Sequence, residues 1–480
     1  MLLQIYDSPL YDNTPLSINR TTELRAQVFV AGIPIGKPYT AVYIASTIDV
    51  NIDLPIIVLD NFGAGQLSTE NREFVPAIIM SFSLNNGKAS LSSTPEVATR
   101  AGIHIRGQSS ASFEKTPYRV EFWDDNNEDQ DIAILGMPAE SDWVLRGPYA
   151  DKALVRDAIA YDFGCDMGMQ APRYVFCELY VNVNSRPLNE DDYMGVYLLV
   201  ETIKNAKRRL DLKQLRENDV TLPDIMGGYI IKFEWKIDKY DEPMLNCFSS
   251  SNCWNYLLIH DPNPIASQQL NWILNYIHEF NDSLYSPTFA DETVGYHAYI
   301  NVESFVDQII INELTRELDS YIRSAYFDKD RYTKLFAGPL WDYNLIFGVG
   351  GYFNNEKTSG WQYEQIRQDH ANYWIPKLLT DPAFFNRVVA RWKVLRQGLL
   401  SDNALDQRIA ELTEPLADGA KRNFKRWPNF SSEYIYIFKT PTNNTWEGQV
   451  GYMRDWLIQR AAWLDTQWKQ NLINYCFSSK

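Results

Sequence analysis

The 480-residue chain is poor in cysteine and histidine, with five of each. Five cysteines are too few for a disulfide scaffold at this length, and no Cys-x-x-Cys pair occurs that would indicate a structural zinc site. No run of apolar residues approaches the ~18 that cross a bilayer, so the sequence predicts no membrane span. These shortages exclude disulfide-rich mini-proteins, zinc ribbons and integral helical membrane proteins.

Positive charge is also scarce. The chain has 45 lysines and arginines but 61 aspartates and glutamates, which gives a formal net charge of −16. So acidic a protein is a poor candidate for tracking nucleic-acid phosphates, and non-specific contact with anionic lipid is disfavoured. Hydrophobic residues at 45% and charged residues at 22% form an ordinary globular mixture. We therefore expect a folded protein of about three domain-sized units, with no nucleic-acid partner.

Two of the cysteines, Cys247 and Cys253, lie close together in the polar stretch NCFSSSNC. They could close a small disulfide if the protein is exported, and two free thiols are an equally good interpretation. The first residues, MLLQIYDSPLYDN, show no basic region before an apolar core, so no signal peptide is predicted. Either the protein is not exported or the sequence begins after its leader.

The first 48 residues are predicted to form a small all-β piece. TTELRAQVFVAG alternates apolar with polar or small residues, and a turn at residues 32–36 precedes a second strand in KPYTAVYIAS. The stretch PLSINRTTELRAQVFVAG resembles the immunoglobulin-like modules appended to secreted bacterial glycosidases. We therefore expect residues 1–48 to be a partial immunoglobulin-like module, followed by a separate domain over residues 53–480.

Strand patterns dominate that domain from about residue 53 to 235, and helical patterns dominate it from about 266 to 480. A helix is predicted over residues 152–163, with Gly164 as its stop, and a second over residues 302–318. The last long helix carries one apolar stripe, formed by Met453, Leu457, Ala461, Leu464 and Trp468. Strands followed by helices predict an α+β fold of two lobes.

Two aspartates flank a predicted hairpin in the helical half. Asp319 follows the 302–318 helix, and Asp342 follows a hairpin made of residues 325–327 and 334–337. A tight hairpin returns the chain on itself, so the two aspartates are expected to lie close together. This is the layout of a kinase active site, in which the first aspartate deprotonates the attacking hydroxyl and the second holds Mg²⁺ on the nucleotide phosphates. A capping role for Asp319 and a turn role for Asp342 are the alternative.

Two further residues extend the predicted metal site. Asn344 could add a neutral oxygen ligand close to Asp342. Ser324 lies five residues after Asp319, at the offset where protein kinases place a metal-binding asparagine, and its hydroxyl could substitute for that side chain.

A Gly/Ser loop between two predicted strands is a candidate phosphate site. Gly107, Ser109 and Ser110 could offer backbone N–H groups to phosphate oxygens. Arg119, on the face of the next strand that points away from the core, could contact a phosphate or lie in solvent. An ordinary hairpin loop is the alternative interpretation.

Three more charged residues have two interpretations each. Lys115 and Lys152 could contact phosphates, although long cationic side chains are usually solvated. Glu201 ends the strand VYLLVE, where a nucleotide-binding hinge could lie, and a buried strand end is the alternative.

Several of these segments together resemble the spore-coat protein H (CotH) kinase family, in order and in rough spacing, over about residues 53–470. The segments are IRGQSS, PYRVEFW, LGMPAESDWVLRGPYADKALVRDAIAYDFG, GVYLLVETIK, INELTRELDSYIRSAYFDKD and AGPLWDYNLIFG. The last helix, with QRAAWLD, is also similar to the ending of that family.

The resemblance implies an atypical protein kinase-like fold that uses ATP and Mg²⁺ or Mn²⁺ to phosphorylate serine on partner proteins. It places Asp319 at the family's catalytic aspartate and Asp342 at the metal ligand of its WDFD-type motif, which is WDYN here. Asn344 keeps an oxygen ligand there but loses a charge. Glu317 stands where an asparagine is expected, and its charge could raise the pKa of the catalytic aspartate.

Our leading hypothesis is an ATP- and metal-dependent protein kinase. The changes at Asn344 and Glu317, with the appended β-module, favour as an alternative a weak or inactive kinase-like scaffold in coat or cell-envelope assembly. A carbohydrate-active protein is the third hypothesis, because 14 tryptophans and 29 tyrosines could stack on sugars. The family and the β-module imply an exported, envelope or spore-associated setting.

Overall fold

The computed structural model describes residues 11–234, 244–245, 257–366 and 374–478. Cys247 and Cys253 lie outside these residues, so their pairing stays a prediction. The chain forms two compact units, each assembled from separated stretches of sequence. Unit 1 comprises Met1–Tyr149, Arg173–Thr202 and Pro415–Asn429, and unit 2 comprises Ala150–Pro172, Ile203–Glu414 and Phe430–Lys480.

Both helices and strands are well represented in the described residues. The strands are β1 (Thr22–Val30), β2 (Ile33–Tyr43), β3 (Asn51–Ile52), β4 (Ile56–Asp60), β5 (Val75–Phe82), β6 (Ala89–Ser90), β7 (Val97–Ile105), β8 (Tyr118–Trp123), β9 (Ile132–Ile134), β10 (Met137–Glu140), β11 (Asp142–Arg146), β12 (Tyr174–Asn182), β13 (Tyr193–Glu201), β14 (Tyr229–Phe233), β15 (Met244–Leu245), β16 (Leu257–Asp261), β17 (Ala325–Lys329), β18 (Phe336–Ala337), β19 (Tyr434–Ile435) and β20 (Phe438–Lys439). The helices are α1 (Arg156–Met167), α2 (Ser267–Leu284), α3 (Val302–Thr315), α4 (Gln362–Ile366), α5 (Trp374–Leu378), α6 (Pro382–Arg396), α7 (Asp402–Thr413), α8 (Ala417–Arg426) and α9 (Trp446–Ser478).

Unit 1 is built on a closed barrel with the strand order β11-β13-β12-β4-β5-β7-β8. Strands β12 and β4 pair in parallel, and the other neighbours pair antiparallel. Alternation along β8 sends Tyr118, Val120 and Phe122 into the barrel core and leaves Arg119 and Glu121 on the other face. Helix α8 packs on β13, where Gly419 allows Leu54 and Val196 to approach closely.

Residues 22–43 form a two-stranded hairpin of β1 and β2 within unit 1. The turn predicted at residues 32–36 is wrong: Val30 pairs with Ile33, and the chain reverses at Ala31 and Gly32, both with positive φ. A two-residue turn of this kind matches the twist of the strands that it joins. The immunoglobulin-like assignment of residues 1–48 stays a prediction.

Unit 2 surrounds helix α3, which packs against α1, α4, α6 and α9. A five-stranded sheet with the order β15-β16-β14-β17-β18 supplies the other layer. Phe327 of β17 joins helix and sheet, because its ring packs against Phe305 of α3 and Phe233 of β14. The apolar stripe predicted for the last helix is confirmed: its residues are buried, namely Met453, Leu457, Ala461, Leu464 and Trp468.

Helix α1 corrects the prediction of a stop at Gly164. The helix continues to Met167 and ends at Gly168, which has φ of 91°. Gly164 is instead a packing position, because a Cβ there would lie 2.3 Å from Cδ1 of Leu340. A glycine inside a helix can serve close approach as readily as termination, and the local sequence does not distinguish the two.

The described residues combine helices with mainly antiparallel sheets, so the α+β prediction is confirmed. None of the helices in the described residues is both long and apolar enough to cross a membrane. The predicted lobes, 53–235 and 266–480, follow chain order, whereas the two units interleave: residues 150–172 belong to unit 2 and residues 415–429 to unit 1. The predicted lobes and the two units are thus different divisions of the chain, and the domain boundaries stay a prediction.

Candidate active site

The segment that carries Asp319 begins where helix α3 ends. Asn301 starts this helix by accepting the Ser304 N–H, and Arg316 ends it in a left-handed conformation with φ of 47°. The guanidinium of Arg316 is fully buried and donates to the carbonyls of Lys357 and Ser359. These contacts stabilise a backbone conformation that non-glycine residues seldom adopt, and they fix the direction in which the chain leaves the helix.

Asp319 lies in the turn that follows. Its side chain is 17% exposed, and Arg323 Nε lies 2.8 Å from its Oδ1. The N–H groups of Ile322 and Arg323 donate to the Asp319 carbonyl, which closes the turn. Burial raises the pKa of Asp319 to about 6, the positive charge of Arg323 opposes the rise, and the negative charge of Asp342 adds to it.

The loop of Asp342 is fixed by buried polar contacts. Asp342 has φ of 67°, and its N–H donates to the Tyr161 hydroxyl at 3.3 Å. The next N–H, of Tyr343, donates to Asp157 Oδ1 at 2.8 Å, and the Tyr343 hydroxyl donates to Asn312 at 2.6 Å. The tyrosine of WDYN thus binds helix α3 through a hydroxyl that a phenylalanine would lack.

The predicted hairpin between the two aspartates is present. Strand β17 pairs antiparallel with β18, with Phe327 opposite Ala337 and Asp328 opposite Phe336. The chain turns back between them and leads to Asp342. The carboxyl groups of Asp319 and Asp342 lie within electrostatic range of each other, since the negative charge of Asp342 helps to raise the pKa of Asp319.

Glu317 is the third carboxylate of this cluster. It is 4% exposed, and its Oε1 has no hydrogen-bond partner among the described residues. Burial first, and then the charges of Asp319 and Asp342, raise its pKa well above the ordinary value. Three carboxyl groups that repel one another, one of them with an unsatisfied buried oxygen, form an environment that a cation would stabilise.

The described residues contain no group of three or more His, Cys, Asp or Glu side chains that is arranged to hold a metal ion. A metal site at Asp342 would therefore need further oxygen ligands from residues other than aspartate and glutamate. Asn344 is half-buried two residues later, close enough in sequence to add its amide oxygen. Ser324 is half-buried as well, with φ of 50°.

The Gly/Ser loop predicted to bind phosphate lies in unit 1. Gly107 has φ of 93°, and a Cβ there would lie 2.1 Å from Ser110 Oγ, so the position requires glycine. Ser109 precedes a single turn of 3₁₀ helix at residues 110–112, and Arg72 donates to the Gly107 carbonyl at 2.9 Å. The loop is compact, and its role in phosphate binding stays a prediction.

Arg119 and Glu201, both in unit 1, form ion pairs. Arg119 pairs with Asp142 on the neighbouring strand β11 and is 29% exposed, so it is neither buried in the core nor simply solvated. Glu201 ends β13 at 4% exposure and accepts from the Arg173 side chain at 2.6 Å and from its N–H at 3.1 Å. These pairs join neighbouring strands, and the nucleotide-binding roles stay predictions.

The two lysines are buried, so the expectation that long cations are solvated is wrong here. Lys115, in unit 1, donates to the Val196 carbonyl at 2.6 Å and to Asn423 at 2.7 Å. Lys152, in unit 2, donates to three carbonyl groups between residues 430 and 441. Because both ammonium groups already have protein acceptors, they support the fold rather than present a charge to a ligand.

Sequence reasoning missed the residues that support this segment of unit 2. Asp157 and Tyr161 come from α1, and the fully buried pair of Glu313 and Arg460 joins α3 to α9. Asp157 precedes Tyr343 by 186 positions, so no local spacing links them. The available signal was weak: a charged residue inside an otherwise apolar helix pattern.

Comparisons with known proteins identify a family and similar solved structures. The model of the family described as "CotH kinase protein" matches residues 103–464, about three quarters of the chain. Among solved structures, the chain is similar to the crystal structure of a Helicobacter pylori proinflammatory kinase, CtkA, at 8% identity and a TM-score of 0.24, covering 73% of this chain and 94% of that one. No curated protein gave a significant match.

Proposed function

The chain belongs to the CotH kinase protein family, and from this premise we propose that it is an ATP- and divalent-metal-dependent protein kinase that phosphorylates serine or threonine on partner proteins. The observation that carries the proposal is the cluster of Asp319, Asp342 and Glu317, in which burial and neighbouring negative charge raise the pKa of Asp319 and of Glu317. Such clusters are typical of sites that bind a cation or transfer a proton.

In this proposal Asp319 is the general base. Its pKa of about 6 leaves the carboxylate ionised at neutral pH, yet basic enough to accept the proton of an acceptor hydroxyl. Arg323 pairs with this carboxylate, its Nε lying 2.8 Å from Oδ1. A base with a pKa close to the working pH contributes more to proton transfer than an ordinary, more acidic aspartate does.

Asp342 and Asn344 are the proposed metal ligands, and the residues present fit a hard cation because they offer oxygen atoms next to unbalanced negative charge. ATP bound with Mg²⁺ or Mn²⁺ would supply the phosphoryl group and offset that charge. The loop itself is held in advance by the bond of Tyr343 to Asp157, so little ordering is left for binding. The loop at residues 107–110, Arg119 and Glu201 remain proposed nucleotide contacts.

The first experiment is a thermal-shift titration with ATP, with and without Mg²⁺ or Mn²⁺. A ligand at 100 times its Kd adds about 2.7 kcal/mol to stability, which is readily visible as a raised melting temperature. We expect a metal-dependent shift in the wild type that Asp342→Ala abolishes. Asp282→Ala, the same change at an exposed position of α2, is the matched control and should keep the shift.

Transfer is then measured with γ-labelled ATP and casein as the acceptor. We expect label on serine or threonine in the wild type and a loss of at least 10²-fold in Asp319→Asn, the size of a general-base contribution. Equal labelling by both proteins would contradict the assignment of the base. Label in the Asp342→Ala variant at the wild-type rate would contradict the metal site.

A second candidate function is a weak or inactive kinase-like scaffold. It is favoured by three departures close to the aspartates: Asn344 lacks a charge, Ser324 stands at the asparagine offset, and Glu317 adds a buried carboxyl group. Nucleotide binding without any transfer, in single-turnover assays with enzyme in excess, would support this function and contradict the active kinase.

A further inference from the structure

Positive charge is concentrated in one loop of unit 2. Residues 204–216 contain six of the chain's 45 lysines and arginines in 13 of its 480 positions, where an even distribution would place about one. Asp211 is the only acidic residue among them. The loop therefore contributes +5 to a formal net charge of −16, and the rest of the chain carries −21. This local reversal of charge is the largest departure from the protein's acidic character.

The loop is irregular but anchored to the fold of unit 2. Ile203 and Leu215 are buried at its two ends. The Lys213 N–H donates to Asp330 Oδ1 at 2.9 Å, and the side chain of Arg331 donates to the Gln214 carbonyl at 3.0 Å. The loop backbone is therefore held at the end of strand β17, and its charges are presented from a fixed base.

Several of its cations are available to a partner. Lys207, Lys213 and Arg216 are exposed, and their side chains form no ion pair or hydrogen bond with the described residues. An exposed cation close to others of the same sign is mildly unfavourable for the folded state, so such a cluster indicates a negatively charged partner more strongly than a stabilising role.

We propose that residues 204–216 form a docking surface for an acidic segment of the protein substrate. The proposal rests on the proposed kinase function and adds the class of acceptor to it. A short acidic segment lies within one Debye length of the loop, about 8 Å at physiological salt, and is attracted by the loop alone. A nucleic acid or an anionic bilayer is larger, and it would also meet the −21 charge of the rest of the chain.

The position of the loop predicts how far the acidic residues of a substrate lie from its phosphorylated residue. Its backbone is tied to Asp330, which directly follows β17, while the opposite end of that strand follows the Asp319 segment. The five residues of β17 span about 17 Å at roughly 3.3 Å each. An extended substrate covers that length with about five residues, so acidic residues are expected about five or more positions from the phosphorylated serine or threonine.

The test is fluorescence anisotropy with a fluorescein-labelled twelve-residue peptide of alternating glutamate and serine, measured without nucleotide. We expect binding that weakens as salt is raised. The double variant Lys207→Glu, Lys213→Glu should bind at least 10-fold more weakly. The matched control, Lys393→Glu with Lys425→Glu, makes the same change in net charge at exposed helix positions and should bind within 2-fold of the wild type.

Several outcomes would overturn the proposal. These are no measurable binding by the wild type, an equal loss in the control variant, or tighter binding to a twelve-nucleotide single-stranded RNA or to phosphatidylserine vesicles. If circular dichroism shows that the charge-reversal variant is unfolded, the double variant Lys207→Ala, Lys213→Ala is used instead. It should bind the peptide at least 3-fold more weakly than the wild type. Asp342→Ala should retain peptide binding, so a failed kinase assay and a failed docking assay give distinct results.

Discussion

The buried pair of Glu313 and Arg460 offers the sharpest test of how helix α3, which precedes Asp319, is supported. Both side chains are fully buried, with Nη2 of Arg460 at 3.2 Å from Oε2 of Glu313. Arg460 also donates to three carbonyl groups, those of Glu313 at 2.7 Å, Thr358 at 3.1 Å and Gly360 at 2.7 Å. We predict that Arg460→Met destabilises unit 2 strongly, because it removes all four bonds while methionine fills most of the volume.

The magnitude follows from what is left behind. Breaking a buried ion pair by removing one partner costs about 3–5 kcal/mol, since the other charge remains in the interior. Glu313 keeps two backbone donors, the N–H groups of Gln362 and Tyr363 at 2.8 and 3.0 Å, and can take up a proton because burial already raises its pKa. Because both effects stabilise the remaining glutamate, we expect the free energy of unfolding to fall by about 3 kcal/mol, near the lower end of that range.

The loss is measured by urea unfolding followed by tryptophan fluorescence, because the guanidinium of Arg460 lies 4.6 Å from the ring of Trp463. Arg454→Met on the same helix is the control: its arginine is 46% exposed, and removing its ion pairs should cost under about 1 kcal/mol. Adding Glu313→Gln to Arg460→Met should recover part of the loss. A loss for Arg460→Met no larger than that of the control would refute the reasoning.

Three further predictions concern single residues. Burial raises the pKa of Asp328 to about 7, so between pH 5 and 7 the folded protein holds a proton that the unfolded chain has lost. The free energy of unfolding should therefore fall as pH rises from 5 to 7.5. In urea unfolding, Asp328→Asn should remove on the order of 2 kcal/mol of that fall. Burial lowers the pKa of Lys152 to about 8, so stability should rise between pH 8 and 10, and Lys152→Met should lack this rise, which is on the order of 2 kcal/mol. Asp157→Ala leaves the Tyr343 N–H without an acceptor and should weaken metal-dependent ATP binding at least 10-fold in the thermal-shift titration, while an intact circular dichroism spectrum excludes unfolding.

Patterns of short range in the sequence predicted the local parts of this fold well. The period of 3.6 placed the buried faces of α3 and α9, and the period of 2 placed the core side of β8. The hairpin between the two aspartates was also predictable, because strand propensity and a turn sequence occur side by side within 13 residues. Each of these features depends on neighbours that the sequence itself displays.

Features that depend on distant partners could not be predicted. Gly164 looks like a helix stop until Leu340 is known to pack against it. The support of the Asp342 loop by α1 and of helix α3 by Arg460 joins positions more than a hundred residues apart. The burial of Lys115 and Lys152 was missed for the same reason, because their acceptors are set by tertiary structure rather than by adjacent residues.

The turn of Asp319 and the loop of Asp342 also depart from local backbone preferences. Arg316, Tyr321 and Ser324 around the turn, and Asp342 in the loop, all adopt positive φ, a conformation that costs about 1–3 kcal/mol for a non-glycine residue. A buried carboxyl oxygen without a partner, that of Glu317, adds a further cost of about 1–3 kcal/mol. Folding stability alone gives no reason to keep these costs in these two stretches of unit 2. They persist because buried contacts, such as those of Arg316 and Tyr343, hold the backbone in place. The same rigidity that stabilises the strained conformation also holds two carboxylates in place before any ligand arrives, which is what proton transfer and metal binding require of a protein.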